Sequence, residues 1–263
     1  MQLVDIGANL THPAFSGDLP EVVQRAHQAG VAKIVVTGTA VDESMAAIRV
    51  AGRFDFYATA GVHPHHARDC GPQTIPALRE LAKHPRNVAI GECGLDFNRN
   101  YSPHPDQEKW FVAQLELGLE LGKPLFLHSR DAHPRFAEIL KHHQVKKAVA
   151  HCFTGEKDEL HAYLALGLYI GITGWICDER RGKHLVELVR DIPRERLLLE
   201  TDSPYLTPRD LKPQPKARRN EPGFLPHIAR AVARALGRPV EEIAVETARN
   251  ANALFGGREL AVQ

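Results

Sequence analysis

No C-x-x-C pair occurs among the four cysteines, Cys70, Cys93, Cys152 and Cys177. A zinc knuckle or a thioredoxin-like redox motif is therefore not expected. Four cysteines in 263 residues are also too sparse for a disulfide scaffold. Net charge is nearly absent, at +1, so the field of the whole molecule will not concentrate nucleic acid or an anionic membrane. Any polyanion must be gripped by a local patch. No apolar run approaches the roughly 20 residues of a membrane span, so no membrane association is expected. MQLVDIGANL has no basic flank before a long apolar run, which argues against a signal peptide and makes a reduced cytoplasm the expected compartment. What remains is ordinary globular composition, 43% apolar and 25% charged. A chain of 263 residues can bury a large core and suits one α/β barrel, so a single domain over 1–263 is expected.

Short apolar runs alternate with longer amphipathic segments. The candidate strands are QLVDIG, AKIVVTG, DFYATAG, NVAIGE, PLFLHS, KAVAHC, LYIGITG and RLLLETD. Between them, segments such as LPEVVQRAHQAG, VDESMAAIRVAG, DQEKWFVAQLELGLELG and HLVELVRDI repeat apolar residues at three- and four-residue spacing, as helices do. Each strand closes on a polar or glycine-bearing point: Asp5, Thr37, His63, Glu92, His128, His151, Thr173 and Asp202, at intervals of 22 to 36 residues. Eight βα units at near-constant spacing predict a (β/α)8 TIM barrel. A Rossmann sheet would need a glycine-rich phosphate turn after the first strand, and DIGANLTHP is not one. Two further helices, in LPHIARAVARALG and PVEEIAVETARNANALFG, follow the eighth strand and should cap or flank the barrel.

In such a barrel, functional groups sit at the carboxyl ends of the strands. Glu92, Asp202, His63, His128 and His151 fall there, and closure would gather them around one axis. Imidazole with carboxylate is the ligand set of Zn²⁺, Mn²⁺ or Mg²⁺ hydrolase sites. Glu92 ends a buried run, where a carboxylate is costly unless paired or metal-bound. His128 and His151 end consecutive strands, which favours a shared ligand pair over two separate core histidines. Asp202 could ligate a metal, take the proton of an attacking water or cap a helix. His63 and His65, in GVHPHH, could ligate metal, hydrogen-bond a phosphate or pack a loop. Arg130 suits a phosphate oxygen, or else a surface ion pair. The cysteines read as structural, with Cys93 and Cys152 facing away from the site. Arg209, Lys212, Lys216, Arg218 and Arg219 put five cations in eleven residues. With Tyr205, Trp175 and Phe97 on nearby loops, they offer the elements of single-strand binding, or a solvated loop.

DIGANL, TAGVHPH, AIGECGLDFNRN, LHSRDA, HCFTG, GITGWICDERRG, ETDSPYL and RRNEP occur in this order. Over roughly residues 1 to 256 they closely resemble the TatD family of metal-dependent deoxyribonucleases, within the amidohydrolase-like barrels. The resemblance implies metal ligands at Glu92, His128 and His151, with Asp202 as the acid of the last strand. It also implies 3′→5′ removal of nucleotides from single-stranded DNA, with RNA as a further substrate and Mg²⁺ as the usual cofactor. No obligate protein partner is evident in the sequence. The chain departs from many relatives in having Gly7 and Asn9 where they have histidines. Losing two nitrogens disfavours a tight two-zinc centre. Carboxylates, the Asn9 amide oxygen and room for water suit Mg²⁺ or Mn²⁺. In the expected mechanism Asp202 orients or deprotonates water, His63, His65 and Arg130 stabilise phosphate charge, and Tyr205 or Trp175 stacks the terminal base. Two rival readings stand beside it: an amide, ester or lactone hydrolase on the same barrel, and a non-catalytic nucleic-acid-binding module.

Overall fold

The computed structural model describes residues 2–215 and 218–256. Eight parallel strands form one sheet in sequence order: β1 (Leu3–Ala8), β2 (Val31–Val36), β3 (Tyr57–Ala60), β4 (Asn87–Asp96), β5 (Leu125–Arg130), β6 (Ala148–Ala150), β7 (Tyr169–Ile172) and β8 (Leu197–Leu199). The sheet closes where β1 meets the segment after β8. The Asp202 amide donates to Gly7 O (2.8 Å) and the Asn9 amide to Ser203 O (2.7 Å). The architecture is the expected (β/α)8 barrel. Gly7 and Asn9 therefore lie on its seam.

Helices cover the outside: α1 (Leu19–Gln28), α2 (Val41–Phe54), α3 (Thr74–Ala82), α4 (His104–Glu120), α5 (His133–His142), α6 (Lys157–Ala165) and α7 (Lys183–Leu188). The two extra helices are α8 (Leu225–Leu236) and α9 (Val240–Phe255). Among the described residues, no helix is long and apolar enough to cross a membrane.

Strand alternation divides the apolar side chains into two clusters. One set, including Leu3, Ile34, Ala58, Ile90, Leu127 and Ile170, packs outward against the helices. The other, including Val4, Ile6, Val35, Phe126, Val149 and Leu198, fills the barrel and meets Ala248, Ala251, Leu254 and Phe255 of α9. Asn250 of α9 donates to Arg194 O and Leu197 O at the start of β8, so α9 plugs the amino end of the barrel. Asp5 lies within β1 rather than at its end and is fully buried, accepting from the Thr201 amide (2.9 Å) and hydroxyl (2.6 Å). It ties the seam and takes no place in the cavity.

β4 runs four residues past Glu92, to Asp96. Its register against β5 shifts between Gly91 and Cys93. Gly91 and Gly94 have φ of +138° and +147°, and a Cβ on either would collide with the β5 carbonyls of Phe126 and His128. Only glycine permits this approach. It carries Glu92 and Asp96 alike to the mouth of the barrel.

Candidate active site

The carboxyl ends of the strands open into a cavity of about 640 Å³. At its base three imidazoles converge on one oxygen. Glu92 Oε1 lies 2.8 Å from His151 Nε2, 3.0 Å from His128 Nδ1 and 3.2 Å from His63 Nε2. His63, Glu92 and His128 each offer a ligand atom within 4.8 Å of the others, a group that could hold a metal ion. One carboxylate oxygen has two lone pairs and cannot satisfy three imidazoles at once. The crowding is the mark of a donor set assembled for a cation, and neutral imidazole with carboxylate fits a divalent one.

The electrostatics agree. Burial alone would raise Glu92, but the His151 and His63 imidazoles outweigh it and hold the carboxyl well below its ordinary range. Burial first, with the neighbouring His128 adding to it, lowers His63 to about 4, leaving a neutral ring whose Nδ1 accepts from the His65 amide (3.1 Å). For His151, burial is overcome by Glu92 and Glu200, and its affinity for a proton rises well above the usual.

Behind this cluster lies a second layer. Glu200 is fully buried; its Oε2 stands 3.3 Å from His151 Nδ1, and its Oε1 accepts from the Cys152 amide. A Cβ on Gly7 would fall 2.4 Å from Glu200 Oε2, and one on Gly171 would fall 2.3 Å from Oε1. Two glycines thus make the recess that Glu200 fills, and the carboxylate fixes the orientation of His151. Asp96, not singled out in the sequence, accepts at Oδ2 from His65 Nε2 (2.9 Å) and lies 3.3 Å from His128 Nε2. Burial opposes its ionisation, but His128 and His65 hold the carboxyl far below its ordinary range. Its signal in the sequence is parity: Asp96 stands four residues after Glu92 on one strand.

α4 locks one imidazole-bearing and one carboxylate-bearing segment in place. Gln114 accepts from the Val62 amide (2.6 Å) and donates to Val62 O (3.0 Å), which sets the turn into His63. Gln107, two turns earlier on the same face, accepts from the Asp96 amide (2.8 Å) and donates to Asp96 O (3.0 Å). Both amides are buried, so each removes an otherwise unsatisfied backbone pair.

Asp202 lines the cavity three residues beyond β8, at φ +52°. Burial first, then the negative charges of Glu92 and Glu200, raise it to about 7. Asn9 Nδ2 donates to Asp202 Oδ1 (3.0 Å). Asn220, of the RRNEP stretch, donates to Thr201 O and Tyr205 O and so fixes the turn that carries Asp202.

The remaining candidates separate. His65, Arg130, Tyr205 and Trp175 all line the cavity, joined by Arg99 and Arg181. Arg130 makes no ion pair among the described residues, whereas Arg181 lies over the Trp175 ring at 4.4 Å. Tyr205 is half exposed at the rim, edge-on to His12 at 5.5 Å. Three expectations need correction. Cys152 does not face the helices: with φ +46° the chain turns, and its thiol joins the cavity wall 3.8 Å from Thr173 Oγ1. Phe97 is not a cavity ring; it stacks on His104 at 3.7 Å. Arg219 is not a free cation; it is bound to Asp18 (2.7 Å) and Glu221 (2.7 Å). Arg209 lies 3.7 Å from Asp178 and Glu179. Lys216 falls outside the described residues.

A family model described as TatD related DNase matches residues 4–256. A protein of Erwinia amylovora named 3'-5' ssDNA/RNA exonuclease TatD is 55% identical over 258 residues, covering 97% of this chain and 100% of that protein. A Klebsiella pneumoniae protein of the same name is 53% identical over 257 residues, covering 97% of this chain and 98% of that protein. The solved structure of a TatD homologue from Escherichia coli has a TM-score of 0.89 at 29% identity, with 97% of this chain and 98% of that one covered. With a family match over nearly its whole length and relatives at more than half identity, the chain belongs to the TatD related DNase family.

Proposed function

We propose that this chain is a metal-dependent 3′→5′ exonuclease that hydrolyses phosphodiester bonds of single-stranded DNA, and of RNA. The observation that carries the reading is the convergence of three imidazoles on Glu92 Oε1 beside Asp202, in a cavity walled by arginines and aromatic rings. The strand polarity and the RNA activity rest on the names of the relatives.

Glu92, His128 and His151 would hold the metal, with His63 at the same carboxylate oxygen and Asp202 beside the cluster. When bound, a divalent cation neutralises phosphate charge and makes water more acidic. The protein's own groups do the rest. Asp202, raised to about 7, is matched to a general base at neutral pH. Asn9 holds its Oδ1, which leaves Oδ2 to take the proton of the attacking water. Arg130 receives a non-bridging phosphate oxygen, because its guanidinium is otherwise unpaired among the described residues. His65, held by Asp96, presents its ring to the same space. Tyr205 at the rim stacks the terminal base. Mg²⁺ is the proposed cofactor. The mixed carboxylate and imidazole donors also accept Mn²⁺ or Zn²⁺. Gly7 is then less a lost ligand than the recess for Glu200.

The test uses metal-stripped protein and a single-stranded DNA oligomer labelled at its 5′ end, with Mg²⁺, Mn²⁺ or Zn²⁺ added in turn. A ladder shortening stepwise from the 3′ end with Mg²⁺, absent in Asp202→Asn, is the expected result. No cleavage by folded protein with any of the three metals would overturn the reading. Turnover of an ester or lactone instead would move the chain to the other hydrolase class.

A further inference from the structure

Away from the cavity, three segments bring together a thiol, a carboxylate and an imidazole. Cys177 ends the short turn Gly174–Cys177 after β7, Asp210 lies on the loop after β8, and His227 sits in the first turn of α8. Their ligand atoms all lie within 4.8 Å of one another. His227 Nε2 is 2.6 Å from Asp210 Oδ1. The Cys177 side chain is buried, with 6% exposure. Gln214 donates to Pro208 O, Arg209 O and Leu211 O, closing a tight loop that presents Asp210 to α8. Arg234 Nη2 approaches the other oxygen, Asp210 Oδ2, at 3.7 Å.

We propose that Cys177, Asp210 and His227 form a second cation site, for Zn²⁺, distinct from the centre at Glu92. The ligand chemistry selects the metal. A thiolate excludes Mg²⁺ and favours zinc, which binds sulfur, imidazole nitrogen and carboxylate oxygen with four ligands in all. Three come from the protein and water supplies the fourth. Binding forms the zinc–sulfur and zinc–nitrogen bonds, releases the Cys177 proton to solvent and moves the proton that His227 shares with Asp210 off the ligating nitrogen, to the other ring nitrogen or to solvent. A plain ion pair between His227 and Asp210 would need no thiol, yet one is enclosed beside it. The site would tie the turn carrying Trp175, the loop carrying Tyr205 and helix α8 into one unit. Two of these form the wall of the cavity, so zinc here would set the shape of the groove without touching the reacting atoms.

Cobalt is the probe, because a thiolate bound to Co²⁺ gives a charge-transfer band in the near ultraviolet that imidazole and carboxylate ligands do not. Full-length, metal-stripped protein titrated with Co²⁺ should show that band, saturating at one equivalent, and Zn²⁺ should abolish it. The band should persist in Glu92→Gln and in Cys152→Ser, which separates the site from the catalytic centre and from the other thiol near it. It should vanish in Cys177→Ser. Asp210→Asn, on an exposed loop that does not endanger the fold, should weaken cobalt binding at least about tenfold. Absence of the band in folded wild-type protein, or a band that survives Cys177→Ser, would overturn the proposal.

Discussion

At the carboxyl end of the strands Glu92, Asp96, Asp202, His63, His65, His128 and His151 are among the residues lining an open cavity, whereas at the amino end Val4, Val35 and Val88 share an apolar cluster with α9. Phe126 marks the boundary. Its ring packs 4.6 Å from that of His151 above and joins the barrel core below. The mouth spends burial on charge, which is tolerable only with partners, and the plug recovers stability from apolar contact. Changes at the mouth should therefore alter chemistry and spare the fold, and changes at the plug should do the reverse.

The largest effects test the mouth. Glu92→Gln should reduce metal-dependent cleavage to background while the melting transition stays cooperative; cleavage at the wild-type rate would remove Glu92 from the centre. Asp202→Asn should lower kcat by about 10²–10⁴-fold, the range of a positioned general base, with little change in metal affinity. At the other end, Phe255→Ala should cost about 3–5 kcal/mol of unfolding free energy and leave kcat/KM unchanged. Denaturant unfolding paired with steady-state kinetics checks both halves of that statement. A variant that lost activity in step with stability would break the division.

Smaller effects sharpen the boundary. Glu200→Gln should weaken Mn²⁺ binding by about 10–100-fold, as for other partners that orient a ligating histidine. Isothermal titration reads this without turnover, and unchanged affinity would reduce Glu200 to filler. Asp5, on the seam between β1 and the segment after β8, has its carboxyl raised by burial from 3.8 to about 8. The folded chain thus keeps a proton that the unfolded chain releases. The stabilisation is complete below about 4 and is lost as pH rises toward 8. Wild-type unfolding midpoints should fall across that window more steeply than those of Asp5→Asn; parallel profiles would count against a protonated Asp5.

Much of this was legible in the sequence. Every strand was visible as an apolar run, and α8 and α9 as amphipathic segments, because period and length identify them locally. Glu92, His128, His151 and Asp202 stood out because each follows such a run. The structure brings the first three together and sets Asp202 beside them. What escaped depended on breaks in alternation. Asp96 keeps parity with Glu92 but was hidden because β4 runs on past Glu92, beyond the irregularity after Gly91. Cys152 reversed its direction through a left-handed backbone. The pairing of Arg219 with Asp18, 201 residues apart, leaves no local trace, so a structural cation read as a nucleic-acid contact. Glu200 stands in the RLLLETD run, but its partner does not show there, since the recess that receives it is made by Gly7 and Gly171 on two other strands.

The central claim is that the cluster at Glu92 holds the divalent cation despite Gly7 and Asn9. Crystals grown with Mn²⁺, with anomalous differences recorded, test it most directly. The account predicts a peak within coordination distance of Glu92, His128 and His151. A fully loaded, active protein whose peak lies elsewhere, or a cavity that stays without one at saturating Mn²⁺, would contradict it.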